Sequence, residues 1–165
     1  MILAIDPGNE QSAYCLIDDE RRPIEHGKVD NAQMLEYIYQ YFNNHTELEA
    51  AAVEMVASYG MAVGKSVFDT CVMIGRITEA LSSVGVPVEY VYRIEEKTMI
   101  CHDSRAKDGN IRQALIDRYA QHDFKNGRGT KKNPDWFYGF ASDQWSAYAV
   151  GTVWLDKREK GEIGE

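Results

Sequence analysis

The first thirty residues hold three strand-like runs, Ile2–Ile5, Ser12–Ile17 and Ile24–Val29, joined by connections too short to hold a helix. Strands spaced this closely pair with their immediate neighbours as an antiparallel meander. The pattern then changes. Met34, Leu35, Ile38, Tyr41 and Phe42 fall at helical spacing within Ala32–Phe42, and Ala50–Met55 is a small, apolar strand. A helix is predicted over Val67–Val84, with Val67, Cys71, Ile74, Ile77, Thr78 and Leu81 along one stripe, then a strand over Pro87–Tyr92. Helical signals resume at Ile94–Ile100 and at Gly109–His122, where Ile111, Leu115, Ile116 and Tyr119 share a face. Residues 123–141 read as irregular. Ser142 is the expected N-cap of a last helix, Asp143–Lys157, that buries Ala147, Val150 and Trp154. Three meandering strands followed by alternating helices and strands specify an α/β fold: a mixed five-stranded sheet with helices on both faces.

At 165 residues the chain suits one domain, predicted over residues 1–157, with 158–165 a polar, frayed tail. No apolar run is long enough to span a bilayer, and the N-terminus lacks the basic region of an export signal. No membrane partner is expected. Three cysteines, none in a CxxC pair, suit a reducing cytoplasm. Cys101-His102 has no second ligand pair at a zinc-site spacing. The net charge of −8 argues against indiscriminate nucleic-acid binding but not against an enzyme acting on nucleic acid, since a divalent-metal site is itself acidic.

Three acids stand where packing alone explains them poorly. Asp6 follows Ile2-Leu3-Ala4-Ile5 and precedes Pro7-Gly8, so a carboxylate sits where a buried strand gives way to a turn. Burying an ionised aspartate is costly unless a cation or donors compensate. Glu54 comes near the end of the fourth strand, and Asp143 at the head of the last helix, where the helix dipole favours an acid. If the first and fourth strands pair in parallel, Asp6 and Glu54 emerge together and Asp143 reaches them. Converging carboxylates need cations, and hard oxygen ligands select Mg²⁺, or Mn²⁺ in its place. Two such ions about 4 Å apart can activate water and stabilise the leaving oxygen of a phosphodiester. Each acid alone also fits a plainer role: a turn cap, a solvent-facing strand end, a helix-head charge. Their order along the chain is what joins them.

That order resembles the RuvC family of Holliday-junction resolvases, within the RNase H-like superfamily, and its small phage-encoded branch in particular. Ala4-Ile5-Asp6-Pro7-Gly8 is similar to the family's first acidic motif and Ala52-Val53-Glu54-Met55 to its second. Ser142-Asp143-Gln144-Trp145-Ser146-Ala147-Tyr148-Ala149-Val150 resembles the C-terminal motif. Gly129-Thr130-Lys131-Lys132-Asn133-Pro134 with Tyr138-Gly139, and Lys107-Asp108-Gly109-Asn110-Ile111-Arg112, resemble the run before that motif and the start of a basic, DNA-facing helix. The resemblance implies an RNase H-like fold and a crossover junction endodeoxyribonuclease whose Asp6, Glu54 and Asp143 hold the metal. It also implies a twofold dimer, for which the helix Val67–Val84, with Met73 and Ile77, is the candidate interface or else an ordinary core helix. The chain departs from the family twice. Many members carry a second acid three residues into the C-terminal helix, where this chain has Ser146. The aromatic that members can carry three residues after the glutamate is here Ala57, with Tyr59 nearby.

Lys125, Arg128, Lys131 and Lys132, without an intervening acid, form either a solvated loop or a clamp on phosphates. Lys107 and Arg112 add contacts from the preceding helix, and Lys107 is also placed to stabilise transition-state charge. Of Trp136, Phe137, Tyr138 and Phe140, most are expected in the core, although such rings also stack on unpaired bases. The leading expectation is thus a metal-dependent endonuclease on branched DNA. The alternatives are an RNA–DNA hybrid or flap nuclease on the same fold, and a non-catalytic junction binder. An actin-like ATPase or sugar kinase also opens with a strand and an Asp-x-Gly turn, but it needs two such domains. No P-loop is present either: Gly60 stands one residue too close to Gly64-Lys65-Ser66.

Overall fold

The computed structural model describes residues 1–44, 48–58, 60 and 62–163. The predicted meander forms: β1 (Ile2–Asp6), β2 (Gln11–Ile17) and β3 (Pro23–Asp30) pair antiparallel in sequence order. Helix α1 (Asn31–Asn44) carries the chain across the sheet to β4 (Ala50–Met55), which lies parallel to β1. Helix α2 (Lys65–Ser83) makes a second crossover to β5 (Val88–Tyr92), parallel to β4. The sheet order is therefore β3-β2-β1-β4-β5, with β1 central. Helices α3 (Arg93–Cys101) and α4 (Asp108–Tyr119) follow, then a short hairpin, β6 (Gly129–Thr130) with β7 (Asn133–Pro134), and finally α5 (Gln144–Glu159).

The two-residue alternation of the strands divides the core. Leu3 and Ile5 of β1 and Ala51 and Val53 of β4 face α1 and α2, where they meet Met34, Ile38, Ile74 and Ile77. Ile2, Ala4, Ala50 and Ala52 face the other way, beneath α4 and α5. Burial of each large side chain here contributes roughly 1.5–3 kcal/mol. Helix α5 is covered nearly all round, from Trp145 and Ala147 through Leu155. A Cβ on Gly151 would lie 2.3 Å from Ile17 Cδ1 and 3.0 Å from Ala4 Cβ, so this glycine lets α5 settle directly on β1 and β2.

Several local expectations change. Met73 and Ile77, expected to be available for an interface, are 2% and 0% exposed, because the α2 stripe they share turns onto the sheet. The outward residues of that helix are Phe68 and Val72, 61% and 65% exposed. Ser142 is not the cap of α5: it takes a left-handed conformation (φ 43°), and Asp143 is the N-cap. The helix runs on to Glu159, and Arg158, assigned to the tail, pairs with Glu49 at 2.7 Å and stacks over Trp154. Among the described residues no helix is long and apolar enough to cross a membrane.

Candidate active site

Strand register places the first two acids. Ile5 pairs with Val53 across the parallel β1–β4 ladder, so the residues that follow, Asp6 and Glu54, emerge side by side at the carboxyl ends of both strands. They continue the alternation of Ala4 and Ala52, which puts them on the face covered by α5. The two carboxyl groups lie close enough to act on one another's charge. Burial, and then the charge of Glu54, push the Asp6 carboxyl up to about 9, with Asp143 and Glu96 adding to the repulsion.

Glu96 lies in the first turn of α3, directly after β5, and is 0% exposed. Its Oε2 pairs with Arg93, which also binds Asp108 at the head of α4, while Oε1 has no hydrogen-bond partner. Burial and then Glu54 raise its pKa to about 9 in spite of the opposing Arg93. Asp143 is in a different state. Its Oδ2 accepts from Lys28 Nζ at 2.5 Å and its Oδ1 from Ser142 Oγ at 3.0 Å. The Lys28 ammonium holds this carboxyl below the usual carboxylate range. Among the described residues no three acids, histidines or cysteines converge closely enough to hold one ion. The expected triad is thus an Asp6–Glu54 pair, with Asp143 turned to Lys28.

A cavity of about 300 Å³ opens at Asp143, lined in part by Arg93, Asp108, Arg112, Trp145 and Ser146 as well. The heads of α4 and α5 both border it. The Arg112 guanidinium is stacked 4.7 Å over the Trp145 ring, which holds a positive charge at the rim. Lys107, the N-cap of α4, is exposed, and its backbone N–H donates to Asn110 Oδ1 at 2.9 Å.

The remaining basic residues, Lys125, Arg128, Lys131 and Lys132, are exposed around the β6–β7 hairpin, with Lys131 and Lys132 in its turn. The segment that carries them is tightly ordered. Asp135 accepts from the backbone N–H groups of Gln121, His122, Asp123 and Trp136 at 2.6–2.9 Å. Asp123 accepts from those of Asn126, Arg128 and Gly129. Gly129 needs its positive φ of 65°, and a Cβ there would lie 2.4 Å from Asn133 O. Phe137 and Phe140 are buried under α5, Trp136 is half-buried and stacked on Tyr119, and Tyr138 is exposed. Tyr59 lies outside the described residues.

Sequence reasoning missed Glu96, Arg93 and Lys28. A signal for the first was present: Glu96, Met99 and Ile100 share one helical stripe, and the latter two pack against the core. A carboxylate on an apolar stripe is the oddity that marked Asp6. The donor chemistry of Asp6, Glu54 and Glu96 suits a hard divalent cation: oxygen ligands only, the first two half-buried and Glu96 buried, mutually repelling, one oxygen without a partner.

The sheet order, its β1–β4 acid pair and the overlying α5 define an RNase H-like α/β fold. Among solved structures, Thermus thermophilus RuvC in complex with a Holliday junction substrate superimposes with a TM-score of 0.70 at 15% identity, over 97% of this chain and 95% of that one. A second structure of Thermus thermophilus RuvC gives 0.66 at 17% identity, over 97% and 96%. The fold is that of RuvC. No protein-family model and no curated protein matches the sequence.

Proposed function

We propose that this chain is a metal-dependent, structure-selective endonuclease that resolves Holliday or other branched DNA junctions by phosphodiester hydrolysis. The observation that carries the reading is the carboxylate pair Asp6–Glu54 at the carboxyl ends of two parallel strands, on the fold of a protein solved with a Holliday junction substrate. Asp6 and Glu54 would hold Mg²⁺, or Mn²⁺ in its place, and Asp143 would join them once Lys28 releases it. A bound ion supplies Lewis-acid neutralisation of the scissile phosphate and a water of lowered pKa, and two ions could divide these tasks.

The chain's own residues supply the rest. Arg112, fixed on Trp145, would bind phosphate oxygens at the cavity, and Lys107, exposed at the head of α4, would bind the backbone nearby and offset charge that builds in the transition state. Lys125, Arg128, Lys131 and Lys132 bind the backbone beyond it through charge, without reading bases. Symmetric cutting of two strands requires a homodimer, and the outer face of α2 with Phe68 and Val72 is the surface that suits one. Sedimentation measures that state directly.

The test is incubation with a synthetic four-way junction, a flap and an RNA–DNA hybrid in Mg²⁺, beside an Asp6→Asn control. The expected result is paired nicks in the junction that fall about 10³-fold or more in the variant, the several kcal/mol a metal clamp supplies. Cutting of the hybrid or flap alone would replace the substrate. Junction binding without cutting in either metal would leave a binding protein.

A further inference from the structure

The carboxyl groups gathered around Asp6 outnumber the cations set against them. Asp6, Glu54 and Glu96 act on one another electrostatically, and the cation set against Glu96 is Arg93, already shared with the exposed Asp108. A structural ion pair between Arg93 and Glu96 would account for one carboxylate oxygen. It leaves Oε1 fully buried with no donor, the costly way to place a carboxylate. Helix α3 starts directly after β5, beside β4, so this oxygen is carried on the same end of the sheet as Glu54.

We infer that Glu96 is a third carboxylate of the divalent-cation site, anchored by Arg93 through Oε2 and offering Oε1 to water on the ion. Asp6, Glu54 and Glu96 do not meet at a single point, which is why Glu96 acts across a water and not as a direct ligand. Arg93 fixes the rotamer of Glu96, and Asp108 fixes Arg93 in turn. The assignment rests on the metal-dependent reading of Asp6 and Glu54.

Calorimetric titration of Mn²⁺ into wild type, Asp6→Asn, Glu96→Gln, Arg93→Met and the Arg93→Met/Glu96→Gln double variant tests it without DNA. Glu96→Gln is expected to weaken Mn²⁺ binding by about 10- to 100-fold while the melting temperature in chelator holds or rises. A smaller loss in the same direction is expected when Glu96→Gln is added to Arg93→Met, where the rotamer of Glu96 is no longer fixed. Wild-type affinity in Glu96→Gln, beside a loss in Asp6→Asn, overturns the assignment and leaves the metal site standing. Loss of the effect in the Arg93→Met background also overturns it, because Glu96 is then only a counter-ion. Absence of Mn²⁺ binding by the wild type overturns both readings together. If Glu96→Gln alone does not fold, the charge-neutral double variant against Arg93→Met supplies the comparison.

Discussion

A single carboxylate, Asp135, organises the segment that precedes the last helix. Its side chain is buried and accepts four backbone N–H groups. Burial by itself would raise its pKa, but the four donors outweigh that and hold it well below the usual carboxylate range. The folded value is depressed, so the stability it contributes is whole above the ordinary range and is lost as pH falls through the folded value. Asp135→Ala is expected to cost about 3 kcal/mol at neutral pH, given the strength of hydrogen bonds to charged acceptors. Chemical denaturation at pH 7 and at pH 2 checks it, with the difference between variant and wild type shrinking in acid.

At the scale of elements, α5 joins the sheet to the site. It lies against β1 and β2 through Gly151 and carries Asp143 at its head. Gly151→Val drives methyl groups into Ile17 and Ala4 and is expected to cost about 2 kcal/mol, read by thermal melting. If the proposed function holds, activity on junctions falls with it, since lifting the helix moves Asp143. These elements were legible in the sequence. The short N-terminal connections pointed to the antiparallel half, and the alternation of helices and strands after them to the parallel half. The adjacency of Asp6 and Glu54 followed from strand order. Lys28 escaped because its partner is remote in sequence: it and Asp143 are 115 residues apart. The ordering of residues 123–141 escaped for another reason. Its acceptors bind backbone N–H groups, which every residue but proline offers, and two-residue strands carry no periodicity. The α2 stripe was found in part: Ile74, Ile77 and Leu81 are buried, but Cys71 is exposed and Met73 and Ala80 complete the buried face.

The whole molecule is acidic, at −8, yet exposes a local run of cations around the β6–β7 hairpin. Contacts of that kind release counterions from DNA and make affinity salt-dependent. Lys131→Ala with Lys132→Ala is expected to lower the slope of log affinity against log salt by about 2, equally for junctions of different sequence. Fluorescence anisotropy across a salt series measures it. A slope equal to wild type would place the DNA elsewhere.

The hairpin is fastened at its root, where Asp123 and Asp135 grip the backbone, and Lys131 and Lys132 in its turn are exposed. Residues 131 and 132 are therefore free to drift at little expense to folding, while the acids behind them are held by strand register and helix packing. On the proposed function, grip on DNA and cleavage chemistry can then evolve on separate schedules, the turn being an interchangeable tip on a fixed handle.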